Sequence, residues 1–253
     1  MLSDAQAQQI WQQWLNWLPA APPIERPAPI FALYRKQLLE AGISEAEADQ
    51  YHAVIVQRMR TQTDGWRVLF NNIYSSPTPG FSTSPNALLL AAVEGRVPGR
   101  ALDICTGQGR NAVFLAIRGW DVTALDISDE GLRVAAGSAN RAGVALQTVL
   151  QSSDAFDFGM ATWDLIVVTY APVPLTLPAY VERVRESLRP GGLVVIESFA
   201  SDAAAPARRP VDIDPEDLRR AFGDFKVAHF EDTVAVPDWD SEATRLTRFI
   251  AIR

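Results

Sequence analysis

Residues 101–111 read Ala-Leu-Asp-Ile-Cys-Thr-Gly-Gln-Gly-Arg-Asn, and residues 124–128 read Ala-Leu-Asp-Ile-Ser. Together they describe an apolar strand, a turn carrying Gly107 and Gly109, a helix, and a second apolar strand that ends in a carboxylate. Few architectures accept that succession. A continuous apolar run suits a strand buried on both faces, and glycines at a strand–helix turn permit positive φ and close approach of the backbone to a ligand. In a doubly wound α/β protein the same succession sets acids and a helix N-terminus at the carboxyl ends of adjacent strands, where adenosine-containing cofactors bind.

The rest of the chain extends the pattern. Strands are expected at 100–104, 121–125, 146–151, 163–168 and 193–197, with helices at 86–94, 111–118, 128–143 and 178–188. Such alternation implies a parallel sheet. Residues 226–234 and 246–252 are two strand-like runs joined by a short loop, which reads as an antiparallel pair at one edge. The expected fold is α/β: a doubly wound, seven-stranded, mostly parallel sheet with a terminal antiparallel pair. Residues 76–253 form this core, and residues 1–75 form an N-terminal helical extension, a lid or an oligomer contact. In the extension, Ser3 and Ser44 open capping patterns, and Trp11, Trp14 and Trp17 make a packing face. Residues 19–29, with five prolines, form a linker, and residues 75–85 form a loop that could fold over a cofactor.

Composition narrows the partners. With 253 residues, 48% hydrophobic, the chain can bury a large core. A net charge of −7 argues against nucleic acid, which needs a concentrated basic face. Cys105 is the sole cysteine, so no internal disulfide can form, and a reducing, cytoplasmic setting is the plain expectation. The two histidines are distant in sequence, and no metal site is expected. No signal peptide and no membrane span are expected.

Residues 107–112 satisfy the G-x-G-x-x-A form of the dinucleotide fingerprint, and Asp126 lies 19 residues beyond Gly107. Alone this admits an NAD(P)-dependent oxidoreductase. Three further features favour another cofactor. Asp103 ends the first strand, where its charge would repel a pyrophosphate and attract an ammonium group. Asp154 follows the third strand and can accept a hydrogen bond from an adenine amino group, with Phe156 placed to pack on the ring. Residues 188–192, Leu-Arg-Pro-Gly-Gly, form a helix–strand junction ahead of the terminal pair.

With these residues in place, the chain resembles the class I S-adenosylmethionine-dependent methyltransferases over about residues 76–253. Within the class it looks most like the tellurite-resistance/thiopurine-type group that acts on small molecules. The resemblance implies S-adenosyl-L-methionine as cofactor and a small-molecule methyl acceptor. It implies that Asp103 lies near the cofactor's amino group, that Gly107 and Gly109 allow backbone approach, and that Asp126 binds the ribose hydroxyls with Ile127 against the adenine. Asp154 and Ala155 would meet the adenine edge. Asn111 belongs to the same cofactor-binding set, and Thr169 and Tyr170 would border the methyl-transfer position. The family usually has glycine where this chain has Cys105, a side chain that narrows the room beside the cofactor's amino-acid portion. Tyr170 is the candidate substrate-orienting hydroxyl, and Tyr74, Phe81, Tyr170 and Trp239 are the substrate-pocket candidates. His52 and His229 read as structural. Without a His–Asp base pair in view, the expected acceptor is already nucleophilic or is activated by positioning. The other readings are the oxidoreductase and a non-catalytic protein that binds the cofactor.

Overall fold

The computed structural model describes residues 2–22, 24–25, 27–201, 211–238 and 242–253. The chain divides into two compact units, Met1–Phe81 and Ser82–Arg253. Trp239 and residues 203–210 lie outside the described residues.

The first unit contains four α-helices among its described residues: α1 (Asp4–Trp17), α2 (Ala28–Glu40), α3 (Glu45–Met59) and α4 (Asp64–Tyr74). Both expected capping boxes form, Ser3 with Gln6 and Ser44 with Glu47. Each satisfies N–H groups that the first helical turn would otherwise leave unpaired. The tryptophan face of α1 turns into this unit's own core. Trp11 and Trp14 are fully buried, and Trp14 stacks on Phe31 at 5.5 Å and meets Tyr34 edge-on at 5.0 Å. Burial pushes the Tyr34 phenol up to about 12, with Tyr51 adding to the effect. Gly65 is held to glycine by the same packing, because a Cβ there would lie 2.4 Å from the Trp11 ring.

The second unit runs α5 (Ala87–Val93), β1 (Arg100–Ile104), α6 (Arg110–Ile117), β2 (Asp121–Asp126), α7 (Asp129–Ala142), β3 (Gln147–Leu150), β4 (Trp163–Thr169), α8 (Pro178–Ser187), β5 (Leu188–Phe199), α9 (Pro215–Ala221), β6 (Lys226–Ala235) and β7 (Thr244–Ile252). The sheet order is β3-β2-β1-β4-β5-β7-β6. Strands β1 to β5 pair in parallel, and β7 is antiparallel to both β5 and β6. The chain thus has the expected seven-stranded sheet with its antiparallel ending.

The period-2 geometry of a strand explains the apolar runs. Leu102, Ile104, Ile166, Val168, Val194 and Ile196 enter one core with Val181 and Val184 of α8, Leu218 of α9 and Phe222 just after it. Their odd-numbered neighbours Ala101, Leu165, Val167, Leu193 and Val195 enter another with Leu88 and Leu89 of α5 and Ala112 and Leu115 of α6. Each fully buried Leu, Ile or Val contributes roughly 1.5–3 kcal/mol, so covering both faces is what makes the parallel sheet stable. Among the described residues no helix is long and apolar enough to cross a membrane.

Two elements differ from the sequence expectation. Strand β5 begins at Leu188, before the Pro-Gly-Gly junction, since Leu188 already pairs with Trp163. Gly191, at φ +81°, and a register shift between Trp163 and Leu165 absorb the irregularity. Helix α9 was not anticipated, although Asp214 caps it by accepting from the Glu216 and Asp217 N–H groups, with Pro215 in the first turn.

Candidate functional site

Strand order reverses between β1 and β4, since β2 lies on one side of β1 and β4 on the other. The crevice beyond the carboxyl ends of these two strands is where an open α/β sheet receives ligands. Asp103, Cys105, Gly107 and Gly109 lie at or after the end of β1, Asp126 ends β2 with Ile127 next, and Thr169 ends β4 with Tyr170 next. The register sets Asp103 opposite Ala124 and Val167, so the predicted residues of three strands are brought to one end of the sheet.

The turn after β1 is tied to the acid of β2. Asp126 accepts hydrogen bonds from the Gly107 N–H (2.8 Å) and from the Ser128 N–H (2.8 Å). Thr106 donates its hydroxyl to Asp103 at 2.6 Å and its N–H to the Leu125 carbonyl. Asp103 and Asp126 are both buried. Burial pushes the Asp103 carboxyl up to about 7, against the lowering effects of Thr106 and Arg110 and with Asp126 adding to the rise. Burial also raises Asp126, opposed by the N–H groups of Ser128, Gly107 and Ile127. Two acids so placed are short of positive charge.

Cys105 is in the left-handed region at φ +58°. The backbone keeps the glycine conformation although the residue is not glycine. A side chain there costs of order 1 kcal/mol, which the surrounding hydrogen bonds hold in place. Its thiol is pushed well up by burial and then by Asp126, Asp103 and Asp154, so it is a poor nucleophile. Gly109, at φ +81°, has a second constraint: a Cβ there would lie 2.6 Å from the Ala135 Cβ on α7. Its glycine therefore serves the packing of α6 on α7 as well as the turn.

Asp154 and Ala155 are exposed beyond β3, with the Ala155 N–H bonded to the Ser152 carbonyl. Phe156 packs on Phe158 and lines a cavity of about 190 Å³ with Arg100, Thr123, Gln147 and Trp163. That cavity sits by the amino ends of β1 to β4, and neither Asp103 nor Asp126 lines it. The convergent acids and the strand-order reversal, not this cavity, lie at the end where an open α/β sheet receives ligands.

On the β4 side, Asn111 donates to the Thr169 hydroxyl at 3.1 Å and accepts from the Asn86 N–H at 2.9 Å. Arg110 faces Asp238 at 3.0 Å, and Asp238 accepts from the Asn86 side chain at 2.9 Å. Gln108 and Arg110 donate to the Ser82 and Ser84 carbonyls, so the end of the preceding loop is fastened to the glycine turn. Tyr170, at φ +54°, donates its N–H to the Glu197 carbonyl at 2.7 Å and its hydroxyl to the Glu197 carboxylate. Glu197 is buried and ion-paired to Arg248 at 3.3 Å. Sequence reasoning missed Glu197, whose signal was an acid inside an apolar strand. Tyr74 and Phe81 pack on Phe70 and on each other within the first unit.

Comparison with known proteins agrees with this geometry. Residues 101–192 match a family model described as a methyltransferase domain. The chain is 28% identical over 163 residues to hemagglutinin 1 of Eikenella corrodens, covering 61% of this chain and 53% of that protein. It is 22% identical over 142 residues to the probable S-adenosyl-L-methionine-dependent methyltransferase TehB of Haemophilus influenzae, covering 54% and 49%. The chain thus spans about half the length of the curated relatives it matches. The crystal structure of TehB from Haemophilus influenzae superposes with a TM-score of 0.58 at 18% identity, covering 74% of this chain and 66% of that one. Residues 101–192 thus match a methyltransferase domain, and the sheet order and the acid-flanked turn agree with that match.

Proposed function

We propose that this protein transfers a methyl group from S-adenosyl-L-methionine to a small-molecule acceptor by in-line displacement. The observation that carries the reading is the pair of buried carboxylates, Asp103 and Asp126, at adjacent strand ends around a turn whose N–H groups already engage one of them. The residues fit the cofactor. A buried acid pushed up to about 7 gains most from a neighbouring ammonium, and a carboxylate beyond β2 can take both hydroxyls of a ribose. When bound, the cofactor supplies an electrophilic methyl on a sulfonium. Asp103 holds the amino group, Asp126 the ribose, and Gly107 and Gly109 keep the backbone close. Asp154 and Ala155 meet the adenine edge and Ile127 its face. Asn111 and Thr169 fix the floor beside Tyr170, and Tyr170 orients the acceptor. Rate then comes chiefly from alignment and exclusion of water.

The first unit, Met1–Phe81, is assigned the choice of acceptor, and Tyr74 and Phe81 are its candidate residues. Titration calorimetry tests the cofactor assignment. S-adenosylmethionine should bind and NADH should not. Asp126→Ala should weaken binding at least tenfold, because a charged hydrogen-bonded contact is worth roughly 1.5–3 kcal/mol. An unchanged dissociation constant in the variant removes the ribose assignment, and binding of NADH in place of S-adenosylmethionine removes the whole reading.

A further inference from the structure

We propose that Tyr170 and Glu197 form a proton relay that removes the acceptor's proton, and that the acceptor is therefore a hydroxyl or amine compound instead of a thiolate. The inference rests on the methyl-transfer reading and specifies its substrate class.

The relay is built into the strand register. Thr169 on β4, Glu197 on β5, Arg248 on β7 and Glu231 on β6 are direct partners in one row across the sheet. Arg248 reaches both acids, Glu197 and Glu231, at 3.3 Å. Glu197 is 2% exposed. A buried carboxylate is costly unless it is paired and hydrogen-bonded, and here Arg248 neutralises one oxygen while the Tyr170 hydroxyl donates to the other. Tyr170 is tied to the same residue twice, by main chain and by side chain. This double tie holds a bulky residue at φ +54°, a conformation that costs about 1–3 kcal/mol when unsupported. Strain of that kind at a strand end beside the switch point is expected where a side chain must be aimed.

The charged groups facing Tyr170 come from several elements. They are Glu197 on β5, which is itself paired with Arg248 on β7, Arg110 at the start of α6, and Asp238 after β6. Burial, followed by Glu197, raises the phenol far above its ordinary value, so Tyr170 stays neutral and cannot act as a free phenolate. A neutral tyrosine that donates to a carboxylate still offers oxygen lone pairs to an incoming O–H or N–H. In the step, the acceptor oxygen or nitrogen bonds to the methyl carbon as the carbon–sulfur bond breaks, its electron pair leaving on sulfur. The acceptor's proton passes to the Tyr170 oxygen while Tyr170's own proton passes to Glu197, and the neutral glutamic acid later releases it to water. A thiolate has no such proton to lose and needs no relay. Tyr170 is the catalytic residue, and Glu197 is a positioning residue that acts through it.

The test uses the full chain with catechol, benzylamine and thiophenol as probes. Wild type should methylate catechol or benzylamine. Glu197→Gln and Tyr170→Phe should each lower that rate by about 100-fold, the size of a lost acid–base contribution, and should slow thiophenol methylation about tenfold less than that. Tyr170→Phe keeps the ring contact with Phe199, so it separates chemistry from folding. Independently of turnover, calorimetry on the S-adenosylhomocysteine complex should show catechol binding weakened about tenfold in Tyr170→Phe. The relay is overturned if both variants slow all probes alike, if catechol and benzylamine are methylated as fast by the variants, or if only thiophenol, or no probe at all, is methylated by a protein that binds S-adenosylmethionine. Absence of S-adenosylmethionine binding is a different failure, because it removes the methyl-transfer reading itself.

Discussion

At the scale of single residues, the site is governed by charge held out of water. Because burial lifts Asp103 from 3.8 to about 7, the unliganded fold keeps a proton that the unfolded chain has lost over that interval. The resulting stability is complete below the lower value and is lost as pH rises through the upper one. Binding of an ammonium group requires the opposite state, the carboxylate, and so strengthens over the same interval. The melting temperature of the unliganded protein should fall between about pH 4 and about pH 7, and the rise produced by S-adenosylmethionine should grow across that window. Asp103→Asn should flatten both dependences, and a ligand-induced shift independent of pH would contradict the role given to Asp103. Cys105 allows a second prediction. Cys105→Gly removes left-handed strain and should leave stability and cofactor affinity at least at the wild-type level, whereas Cys105→Val should cost about 1–2 kcal/mol in urea unfolding. The buried strand-end placement of Asp103 and Asp126 was legible because each is a lone acid closing an apolar run. The left-handed backbone at Cys105 was not legible, since the sequence announces such a conformation only through glycine. Glu197 was hidden for another reason: its meaning depends on Tyr170 and Arg248, partners that only the pairing of β4, β5 and β7 brings to it.

At the scale of elements, the turn between β1 and α6 is fixed as much by helix packing as by ligand chemistry. Gly109→Ala would set its Cβ 2.6 Å from the Ala135 Cβ while also forcing alanine into φ +81°. The variant should lose about 2 kcal/mol or more in urea unfolding, the combined cost of overpacking and positive φ. A loss of only a few tenths would show that α7 yields easily and that the glycine serves the cofactor alone. Most elements could be read from period and caps: Ser44 and Ser128 open α3 and α7, and Gly143, at φ +70°, closes α7. Helix α9 escaped because it is a single short element in a segment without alternation, although its Asp-Pro opening is a regular start signal. Residues 188–192 read as a helix–strand junction because Pro and Gly usually break a strand. Here pairing of Leu188 with Trp163 carries the ladder past them.

At the scale of the whole chain, the methyltransferase-domain match at residues 101–192 lies within Ser82–Arg253, and the helical unit Met1–Phe81 has its own aromatic core. If acceptor choice resides in the helical unit, a chain starting at Ser82 should keep its S-adenosylmethionine dissociation constant within about threefold and lose acceptor turnover by about tenfold or more. Full turnover by the shortened chain would return acceptor choice to the core. The strand order has one more consequence. Because β7 runs between β5 and β6, the sheet is left with two outer strands, β3 and β6. Strand β3 is four residues long, and β6 carries Lys226, Glu231 and Asp232 and a register irregularity between Val227 and His229. Short length, charge and a bulge are the devices by which natural sheets refuse to be extended by a neighbouring chain. Both rims of this sheet are guarded in that way, so copies that meet edge to edge find no template for adding strands.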